Sequence, residues 1–120
     1  MKNDIGYRTF FRYLEYVWKD GHADYLGGLL GGMSLGQDGS PMDIAYEKDW
    51  EKAIDQSTAP NDAYQLGILF LKNWLAIGYE DDIDKVCRDM ESEAHLDLWK
   101  KAVNDVQENN DDPYLKWENG

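Results

Sequence analysis

Carboxylates are the side chains of this sequence whose number and spacing point most directly to chemistry. The 120 residues hold 24 Asp and Glu against 12 Lys and Arg, which gives a formal net charge of −12. Residues 80–97 contain eight acids and two basic residues, so this stretch alone carries −6, half of the total. Such a charge repels nucleic-acid phosphates and anionic membranes, and it attracts a basic partner.

The acids of this stretch have two interpretations. Asp81, Asp82 and Asp84 would lie in the first turn of a helix, where the macrodipole favours acids and a solvated face accounts for them. The acids of residues 89–93 would lie near the end of that helix, where the macrodipole disfavours them. They favour a binding face instead, with the neighbouring Tyr79 as an aromatic anchor. The candidate partner-binding residues are Asp38, Asp43, Tyr79, Glu80, Asp82, Asp89, Glu91 and Glu93.

Other catalytic and metal-binding patterns are weaker. His22 and His95 are far apart, and His95 with Glu91 supplies only two potential ligands, so we expect no metal site. The glycines of residues 27–32 lack the lysine of a phosphate loop. Cys87 falls in an apolar helical stripe, where a thiol acts as a small hydrophobe with a raised pKa. We expect neither catalysis nor a cofactor, although 24 acids leave a carboxylate enzyme as an alternative.

The expected compartment follows from what the sequence lacks. Cys87 is the single cysteine and cannot form an internal disulfide, so the fold does not require an oxidising compartment. The first residues lack the apolar run of a signal peptide. The longest apolar stretch, residues 66–71, is far shorter than the ~20 residues that span a bilayer. We therefore expect a cytoplasmic protein that does not enter membranes.

Apolar residues at intervals of three and four, separated by capping residues, predict a helical chain. About six helices follow, and 120 residues with 42% hydrophobic content suffice for one domain with its own core. We expect Ser40 to cap the third helix, and Asn61 or Asp62 to cap the fourth. Gly78 should stop the fourth helix, and Ser92 should cap the sixth. The fold class is therefore an all-α, single-domain bundle. Its expected core includes Leu14, Trp50, Leu71, Trp74 and Trp99.

The chain also contains a weak internal repeat between residues 5–56 and residues 62–108. Positions match under a shift of 57 residues up to Met90, and under a shift of 49 residues after it. The matching pairs include Gly21 and Gly78, Asp24 and Asp81, Met33 and Met90, and Trp50 and Trp99. Chance similarity of apolar periodicities is one explanation. A true duplication is the other, and it predicts two pseudo-repeated three-helix units around one core.

The tail, residues 109–120, follows the last predicted helix. Tyr114, Leu115 and Trp117 would allow it to dock on the body of the protein, and a frayed tail is the alternative. The sequence also leaves the oligomeric state open.

Three motifs of the first half carry a resemblance to a known group of proteins. They are a glycine-rich apolar segment at residues 26–33, an Asp-Gly-Ser-x-x-Asp turn at residues 38–43, and Asp-Trp-x-x-Ala-Ile at residues 49–54. An aromatic helix at residues 10–18 precedes them. This pattern resembles the small all-helical immunity proteins of bacterial contact-dependent growth inhibition and related polymorphic-toxin systems. The resemblance covers about residues 10–55.

The resemblance implies an antitoxin that works by protein–protein interaction and not by catalysis. Its partner would be a cognate toxin domain, delivered by a neighbouring cell. Such toxins are often nucleases that cleave tRNA or DNA through basic clefts, and an acidic inhibitor would be steered to such a cleft and would occlude it. The alternative function is that of an acidic helical adaptor or subunit in another protein complex.

Overall fold

The chain forms six α-helices in the computed structural model, and no strand occurs in the part of the chain that it describes. The described residues are 5–20, 26–33, 43–78 and 83–108. The helices are α1 (Ile5–Asp20), α2 (Gly27–Met33), α3 (Ile44–Gln56), α4 (Ala63–Ala76), α5 (Ile83–Glu91) and α6 (Leu96–Gln107). The predicted all-α bundle of about six helices is therefore confirmed.

Aromatic side chains form the centre of the core. The ring of Trp50 stacks on Phe10 with centroids 5.6 Å apart, and it meets Tyr7 edge-on at the same distance. Phe70 of α4 lies 5.8 Å from both Trp50 and Phe10. Each such pair contributes roughly 0.5–1.5 kcal/mol beyond the burial of its area. These contacts join α1, α3 and α4 around one fully buried indole.

The predicted core residues fall into two groups. Leu14, Trp50 and Leu71 are fully buried, as expected. Trp74 and Trp99 are half-buried and pack against the edge of the core. An indole has one apolar ring system and one polar N–H, so a position at the edge of a core suits it.

The start and the end of α4 lie where the sequence predicts them. The carboxylate of Asp62 accepts hydrogen bonds from the amide nitrogens of Tyr64 at 3.1 Å and Gln65 at 3.2 Å, which makes it the N-cap. Gly78 follows the helix with φ of +89°, a left-handed conformation that favours glycine. Gly21 and Asp81 lie outside the described residues.

Two predicted caps are wrong. Asp43, and not Ser40, caps α3, because its carboxylate accepts a hydrogen bond at 2.9 Å from the amide nitrogen two residues further on. Ser92 does not cap α6, since its hydroxyl donates to the carbonyl of Asp89 at the end of α5. His95 precedes α6, and its side chain makes no capping hydrogen bond. Before α3 several capping-type residues stand close together, whereas Ser92 is the only one between α5 and α6. In each case the path of the chain decides whether the residue caps a helix.

Contacts recur at positions that the two halves share. The hydroxyl of Tyr7 donates to the carbonyl of Met33 at 2.9 Å, and that of Tyr64 donates to the carbonyl of Met90 at 2.6 Å. Both bonds span 26 positions, and their donors and acceptors are each related by the shift of 57 residues. These two tertiary hydrogen bonds therefore follow the same repeat as the sequence. Tyr7 and Tyr64 form a further matching pair, which precedes Gly21 and Gly78 in the chain.

The two tryptophans related by the shift of 49 residues also make similar contacts. Trp50 meets the edge of Tyr7 at 87°, and Trp99 meets the edge of Tyr64 at 88°. Each of their helices packs against the first helix of the other half, α3 on α4 and α6 on α1. The corresponding positions of the two halves therefore occupy similar environments.

The glycines of α2 are not equivalent. A Cβ at Gly32 would overlap the hydroxyl oxygen of Tyr46, so this glycine permits a close approach of α3. A Cβ at Gly28 or Gly31 would meet nothing within 4 Å. The absence of a side chain therefore permits close packing at Gly32, and it has no such role at Gly28 or Gly31.

Replacement of Gly67 in α4 should destabilise the fold. A Cβ there would lie 2.6 Å from the ring of Phe10 and 3.3 Å from the methyl group of Met90. We expect Gly67→Ala to lower the free energy of unfolding by roughly 1–3 kcal/mol, because overpacking outweighs the gain in helix propensity. Gly28→Ala is the control and should raise the free energy of unfolding by up to about 1 kcal/mol. Denaturant unfolding measures both, and equal stability of the two variants would contradict the packing described here.

Candidate functional site

The structure describes four of the eight candidate binding residues, namely Asp43, Asp89, Glu91 and Glu93. The other four, Asp38, Tyr79, Glu80 and Asp82, lie outside the described residues.

Glu91 and Glu93 lie together at a cleft of about 380 Å³ between α4 and the end of α5. The α4–α5 cleft is lined by Tyr64, Gln65, Ile68, Lys72, Met90, Glu91, Glu93 and Leu96. A carboxylate oxygen of Glu91 is 3.1 Å from the ammonium nitrogen of Lys72, and both side chains are about half exposed, at 46% and 51%. Such a pair is worth less than about 1 kcal/mol, so an incoming cation can compete for the carboxylate at little cost.

Glu93 adopts a backbone conformation that is unusual for its type. Its φ of +57° is the only positive φ of a non-glycine residue in the described ranges. The amide of Ala94 donates to the carbonyl of Asp89 at 2.9 Å, and that of Glu93 donates to the carbonyl of Met90 at 3.1 Å. These two bonds form a Schellman motif, whose left-handed position normally holds glycine. A glutamate there costs about 1 kcal/mol.

The carboxylate of Glu93 also acts on a neighbouring tyrosine. The pKa of Tyr64 is raised, first by burial and then by the negative charge of Glu93. The Tyr64 hydroxyl therefore stays protonated at neutral pH and donates to the carbonyl of Met90. The cleft thus combines two carboxylates, one amine and a phenol that remains a hydrogen-bond donor.

Asp89 and Asp43 occupy other environments. A carboxylate oxygen of Asp89 is 3.8 Å from a ring nitrogen of His95, a pairing that is ionic only when the histidine is protonated. Asp43 caps α3, and its charge contributes to the raised pKa of Tyr7, behind burial and Tyr46. Neither acid lines the α4–α5 cleft. Glu91 and Glu93 therefore lie at the same cleft, whereas Asp43 caps the start of α3.

A buried ionic cluster joins α1 to α6, and the sequence analysis did not identify it. The guanidinium of Arg12 lies 3.0 Å from a carboxylate oxygen of Asp105 and 3.6 Å from one of Glu15. It also lies 4.8 Å from the ring centre of Tyr16, whose hydroxyl donates to the same Asp105 oxygen. Glu15 is fully buried. The signal in the sequence is the spacing of Arg12, Glu15 and Tyr16, which places two charges and a hydroxyl on one side of an apolar helix.

This cluster serves packing in the described geometry. Neither Glu15 nor Asp105 lines the α4–α5 cleft. Both acids share the cation of Arg12, which offsets part of their negative charge inside the fold.

Cys87 is buried, as the sequence predicts. Its pKa is raised to about 11, first by burial and then by the charge of Glu91. The thiol donates a long hydrogen bond, 3.7 Å, to a carboxylate oxygen of Glu91. At neutral pH this thiol is protonated, which makes it a poor nucleophile.

A second, wider opening lies between the start of α1 and the start of α4. This wide cleft has a volume of about 1180 Å³, and its walls come from α1, α3, the α3–α4 loop, α4 and α6. Its lining is mostly apolar and includes Ile5, Ile54, Ala59, Leu66, Trp99 and Val103. Asp62 is its one charged lining residue within the described ranges.

Comparison of the chain with protein-family models, with curated proteins and with solved structures finds no match. Among residues 5–20, 26–33, 43–78 and 83–108, no group of three or more His, Cys, Asp and Glu side chains could hold a metal ion. No helix within those ranges is long and apolar enough to cross a membrane.

Removal of the Arg12 cation should destabilise the protein strongly. Arg12→Met leaves Glu15 buried without this charge partner, and we expect a loss of about 3–5 kcal/mol in the free energy of unfolding. Lys72→Met removes the cation of the exposed pair with Glu91 and should change stability by less than about 1 kcal/mol. Denaturant unfolding of both variants is the measurement. An Arg12→Met protein as stable as Lys72→Met would contradict the structural role of the cluster.

Replacement of Glu93 by glycine should stabilise the protein. Glu93→Gly removes the left-handed strain, and we expect a gain of about 1 kcal/mol in the free energy of unfolding. Glu93→Gln keeps the strain and removes only the charge, so its stability should stay within about 0.5 kcal/mol of the parent. Thermal unfolding of the two variants separates the effect of the backbone conformation on stability from the effect of the charge. A glycine variant less stable than the glutamine variant would show that the backbone is not strained.

Proposed function

We propose that this protein is an immunity protein, which binds and neutralises a cognate contact-dependent growth-inhibition toxin domain without chemical turnover. The target proposed is a nuclease that acts on tRNA or DNA, and inhibition occurs by occlusion of its basic substrate site. The observation that carries the proposal is the placement of Glu91 and Glu93 at one cleft. The strained backbone of Glu93 supports it, because a glycine there would favour stability and glutamate supplies a charge instead.

The electrostatics of the chain supports the same proposal. A net charge of −12 attracts a nuclease whose cleft is built to bind phosphate. Long-range attraction accelerates the encounter, and close contacts decide how long the complex lasts. At the cleft, a lysine or arginine of the toxin would compete with Lys72 for Glu91 and would also reach Glu93. The apolar and aromatic side chains of Ile68, Leu96 and Tyr64 would exclude water around that charge.

The proposed task places the protein in the cytoplasm, where a tRNase or DNase toxin meets its substrate. It needs no cofactor and no direct contact with nucleic acid. The partner supplies the positive charge, and this chain supplies the acids.

Co-expression with a toxin domain encoded by an adjacent gene tests the proposal. We expect a stable complex, and growth of cells that the toxin alone would stop. Absence of both complex and rescue would overturn the immunity function. A stable complex with a neighbouring gene product that is not toxic would instead favour the adaptor function.

A matched pair of double variants tests the face that binds. Glu91→Gln with Glu93→Gln should weaken the complex by about tenfold or more, which is about 1.4 kcal/mol, and should reduce its salt dependence. Glu51→Gln with Asp55→Asn removes the same charge from α3 and should leave the affinity nearly unchanged. Isothermal titration calorimetry at two ionic strengths gives both values. Equal losses in the two double variants would indicate net charge, and not the α4–α5 cleft, as the determinant.

A further inference from the structure

Both carboxylate oxygens of Glu91 are in contact with other groups of the chain. One oxygen lies 3.1 Å from the ammonium nitrogen of Lys72, and the other accepts the 3.7 Å hydrogen bond from the thiol of Cys87. Lys72 belongs to α4 and Glu91 is the last residue of α5, so their pair spans the α4–α5 cleft. In the free protein, a cation of the chain itself therefore already lies on this acid.

The second acid of the cleft has no such cation. Glu93 is exposed, and its carboxylate forms no ion pair within the part of the chain that the structure describes. The charged lining residues of the cleft are two carboxylates and one ammonium, which sum to −1. Without the ammonium of Lys72, the same cleft would carry the full charge of both acids.

The ammonium of Lys72 is able to leave Glu91 without a change in the fold. An ion pair whose members are half exposed changes an equilibrium constant by about fivefold at most. The stem of lysine is flexible and its ammonium is strongly hydrated, so release to solvent needs no movement of α4. A partner that covers the cleft excludes water between its own cation and Glu91, which strengthens their attraction.

We propose that Lys72 is an internal competitor for the cation of a partner protein. Its ammonium holds the position at Glu91 that a lysine or arginine of the partner takes in the complex, and binding displaces it to solvent. This role of Lys72 rests on the proposed function of the α4–α5 cleft. Its consequence is selectivity, because a cation that reaches Glu91 alone only replaces an existing contact, whereas a cation that also reaches Glu93 makes a new one.

A short basic peptide tests the competition without any toxin. The probe is tetra-arginine, acetylated and amidated at its ends, and the readout is the shift of amide NMR signals at residues 64–72 and 90–96. We expect Lys72→Met to bind the peptide about two- to fivefold more tightly at these residues than the parent does, because the competing charge is gone. Lys48→Met is the control and should show a smaller gain, since Lys48 is exposed on α3 and does not line the cleft.

A double-mutant cycle with Glu91→Gln separates the contact from long-range charge. Glu91→Gln removes the acid for which Lys72 and the peptide compete, so the gain from Lys72→Met in that background should fall to the gain from Lys48→Met. An equal gain with and without Glu91 would overturn the proposal in favour of net charge. Unchanged or weaker binding by the Lys72→Met protein would also overturn it, as would a peptide that shifts none of the cleft signals in any variant.

The toxin complex gives a result that is separate from the peptide result. If the complex forms, Lys72→Met should lower its Kd by a similar factor, and Lys48→Met should lower it less. A complex whose Kd responds equally to both variants would contradict the competition and leave the immunity function intact. Absence of any toxin complex, with peptide binding as expected, would overturn the immunity function and leave the competition standing.

Discussion

Helix α1 has neighbours on most of its surface, and the arrangement of the other helices depends on this burial. It packs against α2, α4 and α6, and ten of its residues are buried. A helix buried on all sides is usually apolar throughout, yet α1 carries Arg12 and Glu15. The Arg12 guanidinium lies between two carboxylates, Glu15 of its own helix and Asp105 of α6. The position of α6 on α1 is therefore specified by charge as well as by apolar contact.

The corresponding interface in the other half is neutral. Where Tyr16 donates to Asp105 between α1 and α6, Asn73 donates to Gln56 at 2.9 Å between α4 and α3. Both pairs are related by the shifts of 57 and 49 residues. The position of Arg12 corresponds to Leu69, so the second interface needs no buried charge. An ionic cluster therefore joins α1 to α6, and an amide pair joins α4 to α3 at the corresponding positions.

The two clefts differ in their chemistry. The first helix of the second half, α4, contributes Tyr64 and Lys72 to a cleft with two carboxylates, and salt should modulate whatever binds there. The wide cleft between the halves has a mostly apolar lining. The chain, with a net charge of −12, therefore has one cleft that carries two carboxylates and another whose lining is mostly apolar.

Local interactions made much of the fold predictable from the sequence. Apolar spacing predicted the six helices and the burial of Trp50 and Cys87, because helix periodicity depends on residues three and four apart. Asp62 and Gly78 were predictable for the same reason, since caps act within one turn. The predictions for Ser40 and Ser92 were wrong for different reasons. Asp43 competes with Ser40 for the start of α3, and the Ser92 hydroxyl donates back to the end of α5.

The site depended more on tertiary structure. The sequence by itself determined that the acids cluster in residues 80–97, but only the fold showed that Glu91 and Glu93 share a cleft while Asp43 caps another helix. The bond between Arg12 and Asp105 spans 93 positions, and no local pattern encodes such a partner. The wide cleft likewise exists only because the two halves meet. Sequence determines short-range helices and charge, and packing between distant segments decides which side chains come together.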